Sequence, residues 1–155
     1  MADFALPPLE VKVDDLDWLL LGELQADARL SFSELSRRVH LSPPAVAERV
    51  RKLEESGVIA GYRAHVDPRH TGRSVVALVT MSCYGPGCVL RHPEVLDSAD
   101  IFEVHRVTGG ACCVLRVAVA TMEDFESLID RLAGYGTPSS SMVLSSPVPW
   151  RPTQP

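Results

Sequence analysis

Between residues 29 and 53 the chain carries Arg29, Arg37, Arg38, Arg49, Arg51 and Lys52 against Glu34 and Glu48 alone. Such a cationic excess suits phosphate binding, because affinity for nucleic acid comes largely from releasing counterions condensed on the backbone. The same residues also fit a solvated helix face carrying ordinary Arg/Glu pairs. The surrounding chain sharpens the contrast: its 155 residues hold 15 Lys+Arg and 20 Asp+Glu, a formal net charge of −5. A uniformly basic coat protein is excluded, whereas a local cationic face is not.

The other residues able to do chemistry are Cys83, Cys88, Cys112 and Cys113 and five histidines. No two cysteines form a CxxC pair, and their plainest role is as small buried hydrophobes. A zinc site from Cys83, Cys88 and one histidine has a spacing that matches no standard ligand set, so no metal is expected. Cys112 and Cys113 point to opposite faces if they lie in a strand, and redox sensing there is the sharper alternative. No Ser/Cys–His–acid constellation is present, so no catalytic residue and no cofactor is assigned.

The cationic stretch needs helices to present it. Leu16, Leu19, Leu20 and Leu24 recur at helical steps over about Asp15 to Asp27, with Asp14, Asp15 and Asp17 at the positive end. Ser31 followed by Glu34 has capping-box spacing, and Leu35 and Val39 form the inward stripe of a second helix ending near His40. Ser42 caps a third helix with Pro43 at its first position; Val46, Val50 and Leu53 face inward and Gly57 stops it. The tight joint at His40-Leu41-Ser42 makes a helix-turn-helix pattern. The third helix is then the natural reader of a major groove, with Pro44 and Ala45 small enough for close approach and Arg49 the best guanine or phosphate contact. Glu48 either accepts from a cytosine amine or pairs with Arg51 or Lys52. Ser42 reaches a phosphate, and Ser31, Arg37, Arg38 and Lys52 complete the expected DNA-binding set.

From Arg73 onward the pattern changes. Residues 73–84 read as a long strand apolar on both faces, 101–108 and 111–120 as two strands joined at Gly109-Gly110, and 139–146 as a last strand. Thr121 to Leu132 is a capped amphipathic helix, and a second helix must fall between Cys88 and Ala99, starting late at Pro93 or kinked there. The order strand–helix–strand–strand–helix–strand is the ferredoxin-like βαββαβ arrangement, giving an α+β protein overall. Helices cover one face of such a sheet, so the apolar second face predicts a homodimer. The Pro-containing start (Leu6-Pro7-Pro8) and the Pro/Ser-rich end are expected to be extended or mobile. No apolar run approaches the roughly 18–20 residues of a membrane helix. The opening Met1-Ala2-Asp3-Phe4 lacks the order of a secretory signal, so a cytoplasmic chain is expected.

The whole layout resembles the leucine-responsive/asparagine regulator (Lrp/AsnC) family of transcription factors over roughly residues 13–147. The matching stretches are Leu16-Asp17, Leu24-Gln25-Ala26-Asp27-Ala28-Arg29, Glu34-Leu35-Ser36-Arg37-Arg38-Val39, Leu41-Ser42-Pro43 and Arg49-Val50-Arg51-Lys52-Leu53-Glu54. Gly57-Val58-Ile59-Ala60-Gly61-Tyr62 and His105-Arg106-Val107-Thr108-Gly109 complete them. The resemblance implies a three-helix (winged) helix-turn-helix domain over 13–62 joined by a strand hinge, about Val58 to Val66, to a sensing and assembly domain over 73–147, with 63–72 assigned as the hinge between the two domains. It further implies double-stranded DNA as partner, a homodimer that often builds octamers or other rings of dimers, a nucleoid-associated cytoplasmic location, and a small-molecule effector, commonly an amino acid.

One departure stands out. The family's turn after the second sensing-domain strand usually reads Gly-Asp-x-Asp or a close variant, whereas here it is Gly109-Gly110-Ala111-Cys112. Val107, Thr108, Gly109, Gly110, Ala111 and Cys112 remain the expected effector turn, without the carboxylate that would hold an ammonium group. Two other readings follow: a nucleoid-organising DNA binder that has lost ligand response, or a tetrapyrrole (sirohaem-type) decarboxylase on the same layout, using Arg69, His70, His92 and His105.

Overall fold

The computed structural model describes residues 12–155. The Leu6-Pro7-Pro8 segment and the residues before it lie outside that range. The chain divides into two compact units: one holds the chain up to Ala64 together with Val148–Pro155, the other His65–Pro147.

The first unit contains α1 (Asp15–Ala26), α2 (Phe32–Val39) and α3 (Pro43–Glu55). Asp14 and Asp17 form a reciprocal capping box at the start of α1, and Ser31 and Glu34 do the same for α2, so orphan N–H groups are satisfied at both ends. Ser42 caps α3, with Pro43 and Pro44 in positions where a missing N–H removes no helical bond. The joint between α2 and α3 is tied by Ser36: its carbonyl accepts from Leu41 N at 3.1 Å and its hydroxyl donates to Leu41 O at 2.7 Å. His40, between them, takes the left-handed conformation (φ 55°). Leu20, Leu24, Leu35, Val39, Val46 and Val50 make the core. The expected α1 stripe is corrected at one place: Leu21 is buried and Leu19 is exposed. Residues 18–21 read Trp-Leu-Leu-Leu, so apolar periodicity there leaves the rotation of the helix undetermined.

Gly57 ends α3 at φ 76°, and Ile59 N donates back to Leu53 O. Where a strand is expected, near Val58 to Val66, the chain bends at Val58 and Ile59 and then runs without regular structure or a ladder partner among the described residues. A strand needs a neighbour to satisfy its backbone, and a single chain offers none at this place. The Pro/Ser-rich end is not free: the Gln25 side-chain amide donates to Thr153 O at 3.0 Å and accepts from Thr153 N at 2.8 Å.

The second unit is a four-stranded antiparallel sheet in the order β2-β3-β1-β4, from β1 (Val75–Ser82), β2 (Ile101–Arg106), β3 (Cys113–Val119) and β4 (Thr137–Met142). One face, carrying Ala77, Val79, Met81, Leu115, Val117 and Val119, buries against Phe125, Leu128 and Leu132 of α5 (Met122–Ala133). The helix before β2 starts late, at Pro93, and is a single turn, α4 (Pro93–Leu96). Two 3-10 turns, Gly85–Gly87 and Val89–Arg91, occupy the length that a full helix would need, because Pro86 and Pro93 remove N–H donors on either side. The last strand lies earlier than the expected 139–146 and includes Pro138. β4 is an edge strand paired with β1 alone, so a proline there costs no ladder bond on its outer side.

The second face of the sheet is covered at one end, where Val76 and Ala118 are buried, and open around its centre. Leu78, at its centre, is 43% exposed, and the face also carries Val114, Ser139 and Ser141. Arg116 pairs with Glu103 across β2 and β3 at 2.8 Å.

Candidate nucleic-acid interface and sensing turn

The exposed rim of α2 and α3 carries Ser31, Arg37, Arg38, Ser42, Pro44, Glu48 and Lys52, with Ala45 and Arg49 half-buried. Side chains expected to face a ligand are in part engaged with each other. Arg49 donates through Nη1 to Asp14 Oδ2 and to Asp17 Oδ1, both at 2.7 Å, so it ties α3 to the capping box of α1. The backbone N–H of Asp17, and then Arg49, hold the Asp14 carboxyl below its ordinary range. Arg51 is held by Glu48 and Glu55, and Glu48 is also 3.5 Å from Lys52 Nζ. The Arg51 hydrogen bond is the main cause that lowers the Glu48 carboxyl. Arg38 pairs with Glu23 on α1 at 2.6 Å.

The local charge excess read from residues 29–53 is therefore partly cancelled by acids from α1 and from the end of α3. Among the described residues Arg29 and Arg37 form no ion pair, and Lys52 has the longest one on this rim. Ser31 and Ser42 both cap, with Oγ accepting from Glu34 N and Ala45 N. No sequence pattern within 29–53 points to Asp14, Asp17 or Glu23; they come from a different helix.

In the second unit, residues 107–112 form a compact connection between β2 and β3. Val107 N donates to Cys112 O at 3.2 Å, Cys112 N to Met81 O at 2.8 Å, and Ser82 Oγ to Gly110 O at 3.2 Å. Gly109 has φ 105°, a region closed to most side chains. Thr108, Gly109 and Gly110 are exposed, while Val107, Ala111 and Cys112 are half-buried. The turn thus offers backbone N–H and C=O groups, one hydroxyl and one thiol.

Cys112 has company that its sequence position does not reveal. The sulfurs of Cys83, Cys88 and Cys112 lie within 4.8 Å of one another, the one such group of metal-ligating side chains among the described residues. Burial pushes the Cys83 and Cys113 thiols up. Burial acts the same way on Cys112, but hydrogen bonds from its neighbouring thiols prevail and lower it. The third cysteine, not a histidine, completes the trio that Cys83 and Cys88 begin.

The candidate enzyme residues fall on three separate elements. Arg69, bound to Asp67, and His70 share the 3-10 turn Pro68–Thr71. His92 lies against Tyr135 with ring centroids 4.6 Å apart and the planes tilted at 53°, its Nδ1 meets Glu94 at 2.9 Å, and its buried Nε2 has no partner among the described residues. His105 lies on β2 beside Glu103.

Comparison with known proteins converges on one family. An AsnC-type helix-turn-helix domain matches residues 13–54 and an Lrp/AsnC ligand-binding domain matches residues 91–152. The chain is 38% identical over 138 residues to the HTH-type transcriptional regulator YezC of Bacillus subtilis, covering 86% of this chain and 95% of that one. Its fold matches B. subtilis LrpC with a TM-score of 0.83 at 30% identity, over 90% of this chain and 99% of that one. It also matches the feast or famine regulatory protein of Mycobacterium tuberculosis complexed with L-methionine, with a TM-score of 0.84 at 33% identity, over 93% and 100% of the two chains. The chain belongs to the Lrp/AsnC family of helix-turn-helix transcriptional regulators.

Proposed function

We propose that the first unit, over about residues 13–62, reads double-stranded DNA with α3 in the major groove, and that residues 73–147 form the assembly and sensing domain beyond a 63–72 hinge. The observation that carries the first part is the exposed, Ser42-capped start of α3, where Pro44 and Ala45 present a small-residue surface. Arg29, Arg37 and Lys52 are the cations free enough to meet phosphate, with Ser31 and Ser42 as further donors. Arg38 joins them by exchanging Glu23 for a phosphate. Arg49 acts from behind, fixing α3 against α1, and Glu48 steadies Arg51 and Lys52.

A homodimer forms through the open sheet face around Leu78, doubles the phosphate contacts, and builds larger rings on the family's plan. Three phosphate contacts per protomer give a dimer a salt slope of about −5 in log K against log salt. The protein acts on cytoplasmic, nucleoid DNA.

Anisotropy titrations on fragments selected from genomic DNA test this reading. Arg37→Ala with Lys52→Ala lowers affinity for every duplex and flattens the slope; an unchanged slope overturns the assignment. Light scattering that finds a monomer at micromolar concentration removes the dimer.

An amino acid is the class of effector to try first, since a relative of the same fold is complexed with L-methionine. It meets residues 107–112 without a carboxylate at the turn. A thermal-shift panel of amino acids that moves nothing favours a ligand-independent DNA organiser.

A further inference from the structure

Cys83 follows the end of β1, Cys88 lies between the two 3-10 turns, and Cys112 closes the 107–112 turn, so three separate segments bring their thiols to one place. Cys88 Sγ and Cys112 Sγ are 3.6 Å apart. Four thiolates around zinc at about 2.3 Å lie ~3.8 Å from each other, so this spacing is already close to that of a filled thiolate site. Nothing hard competes: no carboxylate or histidine belongs to the group. An all-sulfur donor set selects soft, thiophilic cations such as Zn(II) and Cu(I) over Mg(II) or Ca(II).

The wall behind Cys83 is shaped to hold it. A Cβ on Gly136 would lie 2.6 Å from Cys83 Cβ and 2.8 Å from Ser82 O, so the chain before β4 presses directly on this cysteine. Cys83 and Cys88 are buried, while Cys112 is half-exposed and gives a cation a way in. Cys113, whose Sγ is 3.6 Å from Cys112, supplies a sulfur neighbour on the core side.

We propose that Cys83, Cys88 and Cys112 hold one soft d10 cation, Zn(II) or Cu(I), and that its binding fastens the 107–112 turn to the end of β1. The cation enters as the three thiols release their protons to solvent. The turn that lacks the family's acidic pair thus gains a thiolate ligand in its last position. As a regulatory device the site rests on the reading of 107–112 as the sensing turn, since a metal that orders the turn changes what the assembly and DNA respond to.

The test uses the full chain, reduced and stripped with a chelator. Co(II) serves as the spectroscopic probe and is expected to bind one ion per chain, with sulfur-to-cobalt charge transfer and tetrahedral d–d bands. Zn(II) competed against a chromophoric zinc chelator, and Cu(I) against a copper(I) chelator without oxygen, decide which cation holds more tightly. Cys112→Ala, at a half-exposed turn, keeps the far-UV circular dichroism and loses at least about 100-fold in affinity, more than loss of a supporting residue costs. Folded wild type that binds none of the three ions overturns the site, as does a Cys112→Ala that binds as well as wild type. Anisotropy on a selected duplex with and without the bound cation tests the switch: a shift supports it, and an unchanged affinity overturns it while the titration still stands. Absence of DNA binding in both states instead overturns the DNA reading.

Discussion

Arg49 on α3 and Cys112 ahead of β3 are both half-buried, and both are met by side chains from distant parts of the chain. Arg49 meets Asp14 and Asp17, groups of opposite charge, so both N–H bonds of its Nη1 are taken up within the protein. Cys112 meets Cys83 and Cys88, groups of its own kind, so three sulfur atoms converge on one place without a charge partner among them. A complementary set closes on itself and holds the fold; a set of like donors points at something else. On the proposed reading the most conspicuous arginine of the helix-turn-helix fixes α3 against α1, and the plainest residues of the sheet unit are the ones that take a ligand.

The largest expected effect comes from disturbing what shapes the cysteine trio. Gly136→Ala places a methyl into Cys83 and Ser82 at a φ of 153°, and a loss of about 3 kcal/mol in urea unfolding is expected from overpacking and strain together. The same variant weakens Co(II) binding by moving Cys83. Destabilisation with unaltered metal affinity separates the packing role of Gly136 from the site and breaks that half of the comparison.

Next are two arginines on neighbouring helices that should behave differently. Arg49→Ala costs at most about 1 kcal/mol, because the pair with Asp14 and Asp17 is partly solvated. It lowers DNA affinity through misplacement of α3, with the salt slope unchanged. Arg37→Ala leaves the melting temperature alone, lowers affinity for all sequences alike, and reduces the magnitude of the slope by about 1 per protomer. Anisotropy across a salt series, beside thermal melts, distinguishes them. If Arg49→Ala flattens the slope as Arg37→Ala does, Arg49 touches phosphate and the structural reading of it fails.

Acid titration probes the same closure more gently. The Asp14 carboxyl lies below its usual 3.8, chiefly through the Asp17 N–H and then Arg49, and Glu48 below its usual 4.5 through Arg51. A carboxyl with a lower pKa in the folded state lets the unfolded chain bind the proton more tightly. Its stabilisation is present above the unfolded value and lost as pH falls through the folded one. Unfolding midpoints should therefore fall below about pH 4, and Arg49→Ala should weaken the Asp14 part of that slope. A wild-type slope retained in Arg49→Ala places the shift on the Asp17 N–H alone.

These cases also show what could be read from sequence. The caps at Ser31, Ser42 and Thr121 and the stripes of α2, α3 and α5 are local, set by residues three and four apart, and all of them are present. β1, β2 and β3 follow from alternation and the Gly109-Gly110 turn. What escaped was non-local. Glu23 on Arg38 and Asp14 on Arg49 depend on helix packing, and the cysteine trio depends on a register that sets Met81 opposite Cys113. The short α4 and the early β4 were obscured by prolines, whose effect depends on whether a strand lies at an edge or a helix is needed at all.

The smallest effect concerns the joint that sets α3 against α2. His40 is exposed and takes φ 55° and ψ 39°, a conformation in which a Cβ crowds the backbone and glycine does not. The turn is already tied by Ser36 on both sides of Leu41, so the histidine side chain is not what fixes the geometry. His40→Gly is expected to stabilise the helical unit by about 0.5 kcal/mol, the relief of strain being offset in part by the greater freedom of glycine in the unfolded chain. DNA affinity at fixed salt stays level, since the capped start of α3 does not move. Paired urea melts and anisotropy titrations of the two proteins check it. A gain in stability accompanied by weaker DNA binding would mean that the imidazole itself faces the duplex, adding a polar contact to the rim of Arg37 and Ser42.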